Sequence, residues 1–245
     1  MTARATLATG RRVLWQLRHD PRTVALLLVV PVLLLVLLRY VFDARPDVFQ
    51  HVGAPMCGLY PFILMFLVTS VAMLRERTSG TLERLMSLPL AKADLLVGYG
   101  LAFGLVAIVQ ATIVCGVGFL FLGLDAPHGA WLVALLAIGN ALLGTGLGLL
   151  VSAFARTEFQ AVQFMPAFVF PQLLLCGLFV RRPEMAPLLD WVSWAFPLTY
   201  AFDALERATT PGALDGRLAL DVAVIAGAAV ASLVLGALTL RRRTP

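Results

Sequence analysis

Charge is scarce in this chain: 13% of its 245 residues are Asp, Glu, Lys or Arg, about half the usual share of a soluble domain. That shortfall excludes a soluble enzyme with an ordinary surface. Intrinsic disorder is excluded too, because it needs high charge and low hydrophobicity, and 60% of the residues are hydrophobic. Lysine is nearly absent, with Lys92 the single example against 18 arginines. The GxxxxGK[ST] phosphate loop is missing and Ala91 precedes the lone lysine, so nucleotide phosphates cannot be cradled by that route. HExxH and GxSxG are missing as well. Gly144-Thr145-Gly146-Leu147-Gly148 stops short of GxGxxG and lies inside an apolar run. His19, His51 and His128 share no ligand spacing, and Cys57, Cys115 and Cys176 form no CxxC pair. Neither a metal site nor a disulfide framework is indicated, and buried free thiols are expected.

What the chain has instead is long apolar runs. Six candidate spans lie at about 23–38, 57–74, 95–122, 131–154, 159–180 and 218–240. Each approaches the ~17–25 apolar residues that a transmembrane helix needs. A helix satisfies its own backbone polar groups in lipid, and the alternating ten-residue segments of a barrel are absent. The first run is too long for a cleaved signal peptide, and Arg39 and Tyr40 follow it where a small-residue cleavage site would stand. The expected fold is an all-α membrane protein formed as one domain over 1–245.

The basic residues orient it. With the N-terminus inside, the cytoplasmic pieces 1–22, 75–94, 155–160 and 241–245 hold thirteen Arg or Lys, and the outer pieces hold six. The positive-inside rule then places both termini in the cytoplasm. The net charge of +5 does not read as a nucleic-acid surface, because the basic residues sit between apolar runs. Inside the spans the one acidic residue is Asp221, read as an interfacial carboxylate near the outer start of span six.

Small residues at intervals of four recur as helix-packing signals: Gly100 and Gly104, Gly144 and Gly148, then Ala228, Ser232 and Gly236. They let backbones approach closely in lipid. Pro166 and Pro171 are expected to kink span five.

Three non-membrane segments are patterned. In 1–22, Arg4, Arg11 and Arg18 share a stripe beside Val13, Leu14 and Leu17, which predicts an amphipathic helix at the inner interface. In 75–94, polar Thr78–Thr81 and then Pro89 bracket a two-turn helix with Leu82, Leu85 and Met86 on one face. A helix that short needs something to dock against. In 181–205, proline breaks the chain repeatedly. The segment predicts short helices dipping into the outer leaflet, with Trp191, Trp194, Pro197 and Tyr200 in a broken hairpin between spans five and six.

Gln160, Phe164 and Phe168 recur every four residues on span five and share a face. Gln110 and Asn140 add amides near mid-membrane. As a substrate path, such uncharged amides and rings suit a bulky amphipathic or apolar molecule better than an ion.

Arg75–Leu90, reading RERTSGTLERLMSLPL, resembles the cytoplasmic signature of ABC-2 type transporter permeases. Residues 171–207, through Pro197-Leu198-Thr199-Tyr200 to Arg207, resemble that family's outer signature, and the order of elements matches over nearly the whole chain. Within the family the chain is most similar to drug and antibiotic exporters of the daunorubicin-resistance type. The resemblance implies a half-transporter in the cell inner (plasma) membrane. It would pair with a second permease subunit, identical or similar, and be driven by cytoplasmic ABC ATPase subunits. ATP and Mg would then be bound by those partners, with no cofactor in this chain and no catalytic residue. What resembles the coupling helix is Gly80–Leu88, which makes Gly80, Thr81, Leu82, Glu83, Arg84, Leu85 and Met86 the candidates for ATPase contact. Export of a lipid-linked polysaccharide or other envelope glycoconjugate is an alternative substrate reading. A non-transporting scaffold or sensor is the alternative of another class. An ion-coupled transporter would want midplane charges and repeated broken helices, and neither is present.

Overall fold

A computed structural model describes residues 3–81 and 92–239. Among them it is all-helical, with nine α-helices and no strand. In chain order they are α1 (Ala3–Arg18), α2 (Pro21–Val41), α3 (Pro46–Thr78), α4 (Lys92–Leu120), α5 (Ala130–Val151), α6 (Glu158–Leu175), α7 (Pro187–Ser193), α8 (Pro197–Thr209) and α9 (Arg217–Thr239). A 3-10 turn, Arg182–Glu184, precedes α7.

Five of these, α2, α3, α4, α5 and α9, are long and apolar enough to cross a membrane. The span expected at 159–180 differs. Its helix, α6, covers 18 residues and ends at Leu175, where Gly177 turns the chain with φ of 104°. At 1.5 Å per residue α6 is about 27 Å long, just under the ~30 Å hydrocarbon core, and it carries Gln160, Gln163 and Gln172. It continues through Pro166 and Pro171. The first two expected spans, 23–38 and 57–74, were drawn short at both ends, α3 running from Pro46 to Thr78, 33 residues in all, while 95–122, 131–154 and 218–240 ran one to three residues past their described helices.

Helix ends follow local chemistry. Asp20 caps α2 by accepting from the Thr23 amide at 3.2 Å, and Pro21 fills the first position, where no donor is needed. Thr157 caps α6 the same way through the Gln160 amide. α3 stops at Ser79, after which Gly80 takes the left-handed conformation with φ of 71° that ends many helices.

The centre of the bundle is α5, held between α3 and α9. A Cβ on Gly144 would stand 2.3 Å from the Phe62 carbonyl oxygen, and one on Gly148 would stand 2.1 Å from Thr69 Oγ1. These two glycines are where α5 lies directly on the α3 backbone. On the opposite side, Gly146 meets the Ala229 carbonyl of α9, while Gly236 of α9 faces Leu150. The Gly144 and Gly148 pair and the Ala228, Ser232 and Gly236 series thus mark two real seams. Gly100 and Gly104 do not: both face leucine side chains rather than a backbone. In α4 the close approach is at Gly98, whose added Cβ would lie 2.8 Å from the Thr6 carbonyl of α1. Around these seams, Phe62, Phe66, Leu143, Leu198 and Leu205 form one buried cluster. Val13, Leu27, Met65, Tyr99 and Phe103 form a second, nearer α1. Cys57, Cys115 and Cys176 are buried and free.

Connections sort to two ends. One end gathers α1, the end of α3 and the α5–α6 turn, through Arg12–Glu76, Arg75–Glu158 and the Arg77 guanidinium donating to the Ser152 carbonyl. The other gathers the α2–α3 turn, the α4–α5 loop and α7–α8, through Gln50 to Gly123 and Asp125 and through His128 to Thr210.

Gly148→Ala forces an added methyl into α3, and overpacking of this kind costs about 1–3 kcal/mol. Thermal unfolding of the purified chain in detergent should therefore drop for Gly148→Ala. It should stay near wild type for Gly227→Ala, where an added Cβ meets nothing.

Candidate functional site

Three regions carry the groups that could act on a substrate or partner. The first is the α1 end. α1 is amphipathic as expected: Val13 is buried, Leu14 and Leu17 pack beside it, and Arg4, Arg11 and Arg18 are exposed. Arg12, which is not on the exposed stripe, turns inward. It donates to both Glu76 oxygens at 3.2 and 3.3 Å and to the Tyr99 hydroxyl, and Gln16 adds a bond to Glu76. Sequence pattern missed this cluster. The available signal was Arg12 itself, a basic residue off the stripe, with a lone Glu at the end of an apolar run. Gly80 and Thr81 follow directly, and Thr81 Oγ1 lies 2.9 Å from Ser79 Oγ. Leu82, Glu83, Arg84, Leu85 and Met86 lie outside the described residues.

The second region is α6. Only Ala161, Val169 and Gln172 of this helix are buried. Gln160, Gln163 and Phe168 are exposed and Phe164 is half-buried. The Phe164 and Phe168 rings meet edge to face at 6.3 Å. Phe164, with Phe154, Arg156, Gln160 and Gln163, flanks an open cavity of about 390 Å³. Gln160 also serves the helix start, since its Oε1 accepts from the Arg156 amide at 2.8 Å. Gln110 and Asn140 do not join this face. Gln110 is fully buried and donates to the Leu27 carbonyl at 2.7 Å, tying α4 to α2. Asn140 is fully buried in α5 against Gly58 of α3, and neither of its amide atoms has a hydrogen-bond partner. The structure therefore brings three of the five proposed path residues together and seats the other two inside the bundle.

The third region is the outer hairpin. Its two tryptophans differ. Trp191 is 75% exposed. Trp194 is half-buried, with the Arg182 guanidinium 4.2 Å and the Arg217 guanidinium 4.7 Å from its ring centre. Tyr200 packs edge to face against Trp194 and donates to its carbonyl at 3.0 Å, and Pro197 opens α8. Beneath the rings runs a chain of ion pairs: Arg182 with Asp203, and Arg207 with both Asp215 and Asp221. Asp221 is fully buried, 3.5 Å from Arg207 Nε. This corrects the interfacial reading. A residue fourteen positions from its partner, on a different helix, cannot be paired by local pattern, so an interfacial cap was the natural expectation. Burial pushes the Asp203 carboxyl up to about 6. The nearby Arg182 opposes that rise and Asp221 adds to it.

Trp194→Ala removes two cation–π contacts, each worth about 0.5–2 kcal/mol, and should lower the unfolding temperature clearly, while the exposed Trp191→Ala should change stability by no more than about 0.5 kcal/mol. The Asp203 carboxyl titrates higher in the fold than its ordinary 3.8. Its charged form thus costs stability above about pH 6, and that cost fades as pH falls toward 3.8. Unfolding temperatures at pH 7 and pH 5 should show the wild type gaining relative to Asp203→Asn as pH falls.

Residues 4–208 match the ABC-2 type transporter family. A probable multidrug ABC transporter permease of Escherichia coli strain K12, YbhR, is 30% identical over 143 residues, which cover 58% of this chain and 39% of that protein. A second from the same strain, YbhS, is 27% identical over 180 residues, covering 72% and 47%. ABC transporter G family member 20 of Dictyostelium discoideum is 26% identical over 151 residues, covering 62% and 21%. The matched region is less than half the length of each of these relatives. The family match runs from α1 through α8, the outer hairpin included, and with five membrane-length apolar helices beside it the chain belongs to the ABC-2 type transporter family as a multi-pass membrane protein.

Proposed function

We propose that this chain is the permease subunit of an ATP-driven exporter in the cell inner (plasma) membrane. In this reading it moves an amphipathic or apolar substrate such as a drug, antibiotic or lipid. The end carrying α1 faces the cytoplasm, where separate ABC ATPase subunits bind ATP and Mg. α6 counts as the sixth span.

The observation that carries the reading is the exposed face of α6. An isolated span with Gln160, Gln163 and Phe168 turned outward beside the half-buried Phe164 would hold its amides against hydrocarbon, which is unfavourable. A second permease subunit set against this face would enclose it, leaving a path of amides and aromatic rings between the two copies. The relatives named multidrug permeases support that substrate class. Gln110 and Asn140 then act as internal tethers and spacers rather than path residues.

Force would enter through 80–88. Gly80, already in the left-handed conformation, turns the chain out of α3 toward the ATPase. Thr81 and Leu82 start the contact, Leu85 and Met86 fill an apolar cleft, and Glu83 and Arg84 meet its polar rim.

The test is co-expression with an ABC ATPase encoded beside it, followed by ATP hydrolysis and dye export in proteoliposomes. Phe164→Ala should cut export at least about tenfold, a difference of 1.4 kcal/mol at the barrier, with assembly unchanged. Leu85→Asp should insert normally but lose the co-purifying ATPase, since a buried unpaired carboxylate costs several kcal/mol. Full export by Phe164→Ala would remove the path assignment. Wild-type ATPase retention by Leu85→Asp would remove the coupling assignment.

A further inference from the structure

The apolar side of α1 is spent on the bundle. Thr6, Thr9, Gly10 and Val13 are buried, and an added Cβ on Gly10 would stand 3.2 Å from the Gly98 carbonyl oxygen of α4. Val13 joins Leu95, Leu96 and Tyr99 in one buried cluster, with Leu14 and Leu17 packed beside it. A membrane therefore cannot meet α1 through that side. The opposite side is what remains. At about 100° per residue, Arg4, Leu7, Arg11, Trp15 and Arg18 fall within one arc of about 80°, across the helix from Val13. All five are exposed, Leu7 to 65% and Trp15 to 58%. Three guanidinium groups thus alternate with two large apolar side chains along one uncovered face.

That face has no counter-charge in its own helix, since α1 contains neither Asp nor Glu. Among the described residues, Arg12 is the one arginine of α1 in an ion pair, and it lies off the arc. Arg18 lies over the Trp15 ring, 5.8 Å from its centre, and the His19 ring meets the same ring at 5.0 Å. These contacts hold Trp15 outward. The face also sits at a defined depth. α2 starts at Pro21 and turns Leu26 and Val29 outward, 63% and 59% exposed. Its uncovered apolar surface begins about 8 Å along the helix from Pro21, so the end of α1 stands where headgroups meet hydrocarbon. A protein surface would have to supply carboxylates at intervals that match the three arginines. The phosphates of an anionic leaflet meet them in any register, and Trp beside Arg is the combination such an interface favours.

We propose that this face of α1 docks on anionic phospholipid of the inner leaflet, with Arg4, Arg11 and Arg18 pairing with headgroup phosphates and Leu7 and Trp15 inserted between headgroups. The inference rests on the exporter reading only for the cytoplasmic placement of α1. Attraction to an anionic surface amounts to a factor of about five per arginine, and the guanidinium fork adds a fixed geometry to each phosphate bond.

The full-length chain in detergent is titrated with dioleoylphosphatidylglycerol or dioleoylphosphatidylcholine, and bound lipids are counted by native mass spectrometry. Amide hydrogen exchange over α1 is followed in phosphatidylcholine nanodiscs with and without phosphatidylglycerol. The wild type should bind phosphatidylglycerol at least about fivefold more tightly than phosphatidylcholine, and phosphatidylglycerol should slow exchange over α1. Replacing Arg4, Arg11 and Arg18 together by Gln should lower phosphatidylglycerol affinity on the order of tenfold or more. The same variant should keep its phosphatidylcholine affinity and unfolding temperature and lose the slowed exchange. Replacing the three by Lys should retain phosphatidylglycerol affinity to within about threefold, because the charge remains. Should the triple Gln variant fail to insert, Arg4→Gln, Arg11→Gln and Arg18→Gln carry the test singly, each with an expected loss of about fivefold. Equal binding of the two lipids by the wild type, or an unchanged preference in the Gln variants, would overturn the proposal. So would exchange over α1 that is indifferent to phosphatidylglycerol. Gln variants that keep the lipid preference and instead lose the co-purifying ATPase would give this face to the ATPase and overturn the lipid assignment. The lipid titration involves neither ATP nor transport, so its failure leaves the exporter reading to its own assay.

Discussion

The fold depends on backbone-to-backbone contact at α5. In lipid, apolar side chains gain little by leaving hydrocarbon for protein, so helices associate through close packing and polar contacts. Gly144 and Gly148 supply that packing on one side, where the carbonyls of Phe62 and Phe66 occupy the space a Cβ would need. Gly146 supplies it on the other, against Ala229. Thr69 fits the same seam, donating to Met65 within its own helix and lying 3.3 Å from the Thr145 carbonyl. Because α5 is fixed on both sides, α3 and α9 are fixed relative to each other, and α8 is held between them through Leu205 over Gly58. α2 and α9 can remain largely exposed because their inner faces alone need to fit.

Charge does the complementary work at the two ends. The Arg12, Glu76 and Tyr99 cluster ties α1 to α3 and α4, and the Arg182, Asp203, Arg207 and Asp221 series ties the outer hairpin to α9. Such pairs add little when fully exposed. These are half-buried or buried, so removing one partner leaves a charge without compensation, and that is costly. The pairs therefore specify where α1 and the hairpin sit more than they stabilise the chain as a whole. Trp194 belongs to this second network, since its ring lies within 5 Å of two guanidinium groups.

Much of this was legible in sequence because it is local. Apolar runs located the five membrane-length helices, and the shared arc of Val13, Leu14 and Leu17 located the buried face of α1. The outer prolines located short helices, since Pro187 and Pro197 both stand at helix starts. What escaped was pairwise. The same four-residue glycine spacing is a seam at Gly144 and Gly148 and not at Gly100 and Gly104, because the motif states that a close approach is possible and only the neighbour decides whether it occurs. Gly98 has no glycine partner at that spacing and still lets α4 approach the α1 backbone at Thr6. Asp221 and Arg207 are fourteen positions apart on different helices, which no periodicity reports. Gln110 and Asn140 share polarity with Gln160 but not a face, and mid-membrane depth alone could not separate them.

α6 joins these points. Its three glutamines and two prolines lower its hydropathy below that of the other long helices, which is why it stands apart from the five membrane-length ones. Evenly distributed, those residues would simply weaken a span. They are not evenly distributed: Gln172 turns into the bundle and donates to the Phe168 carbonyl, while Gln160 and Gln163 stay on the open side with Phe168. A helix whose buried face is small and whose open face is polar and aromatic is poorly suited to lipid and well suited to a second, partly wet surface. In the exporter reading, that weakness as a membrane span and the capacity to line a path are one property of the same residues. The Arg75–Glu158 pair then has a clear role: it is the fixed point from which a loosely packed α6 departs, next to the segment where the ATPase is proposed to act.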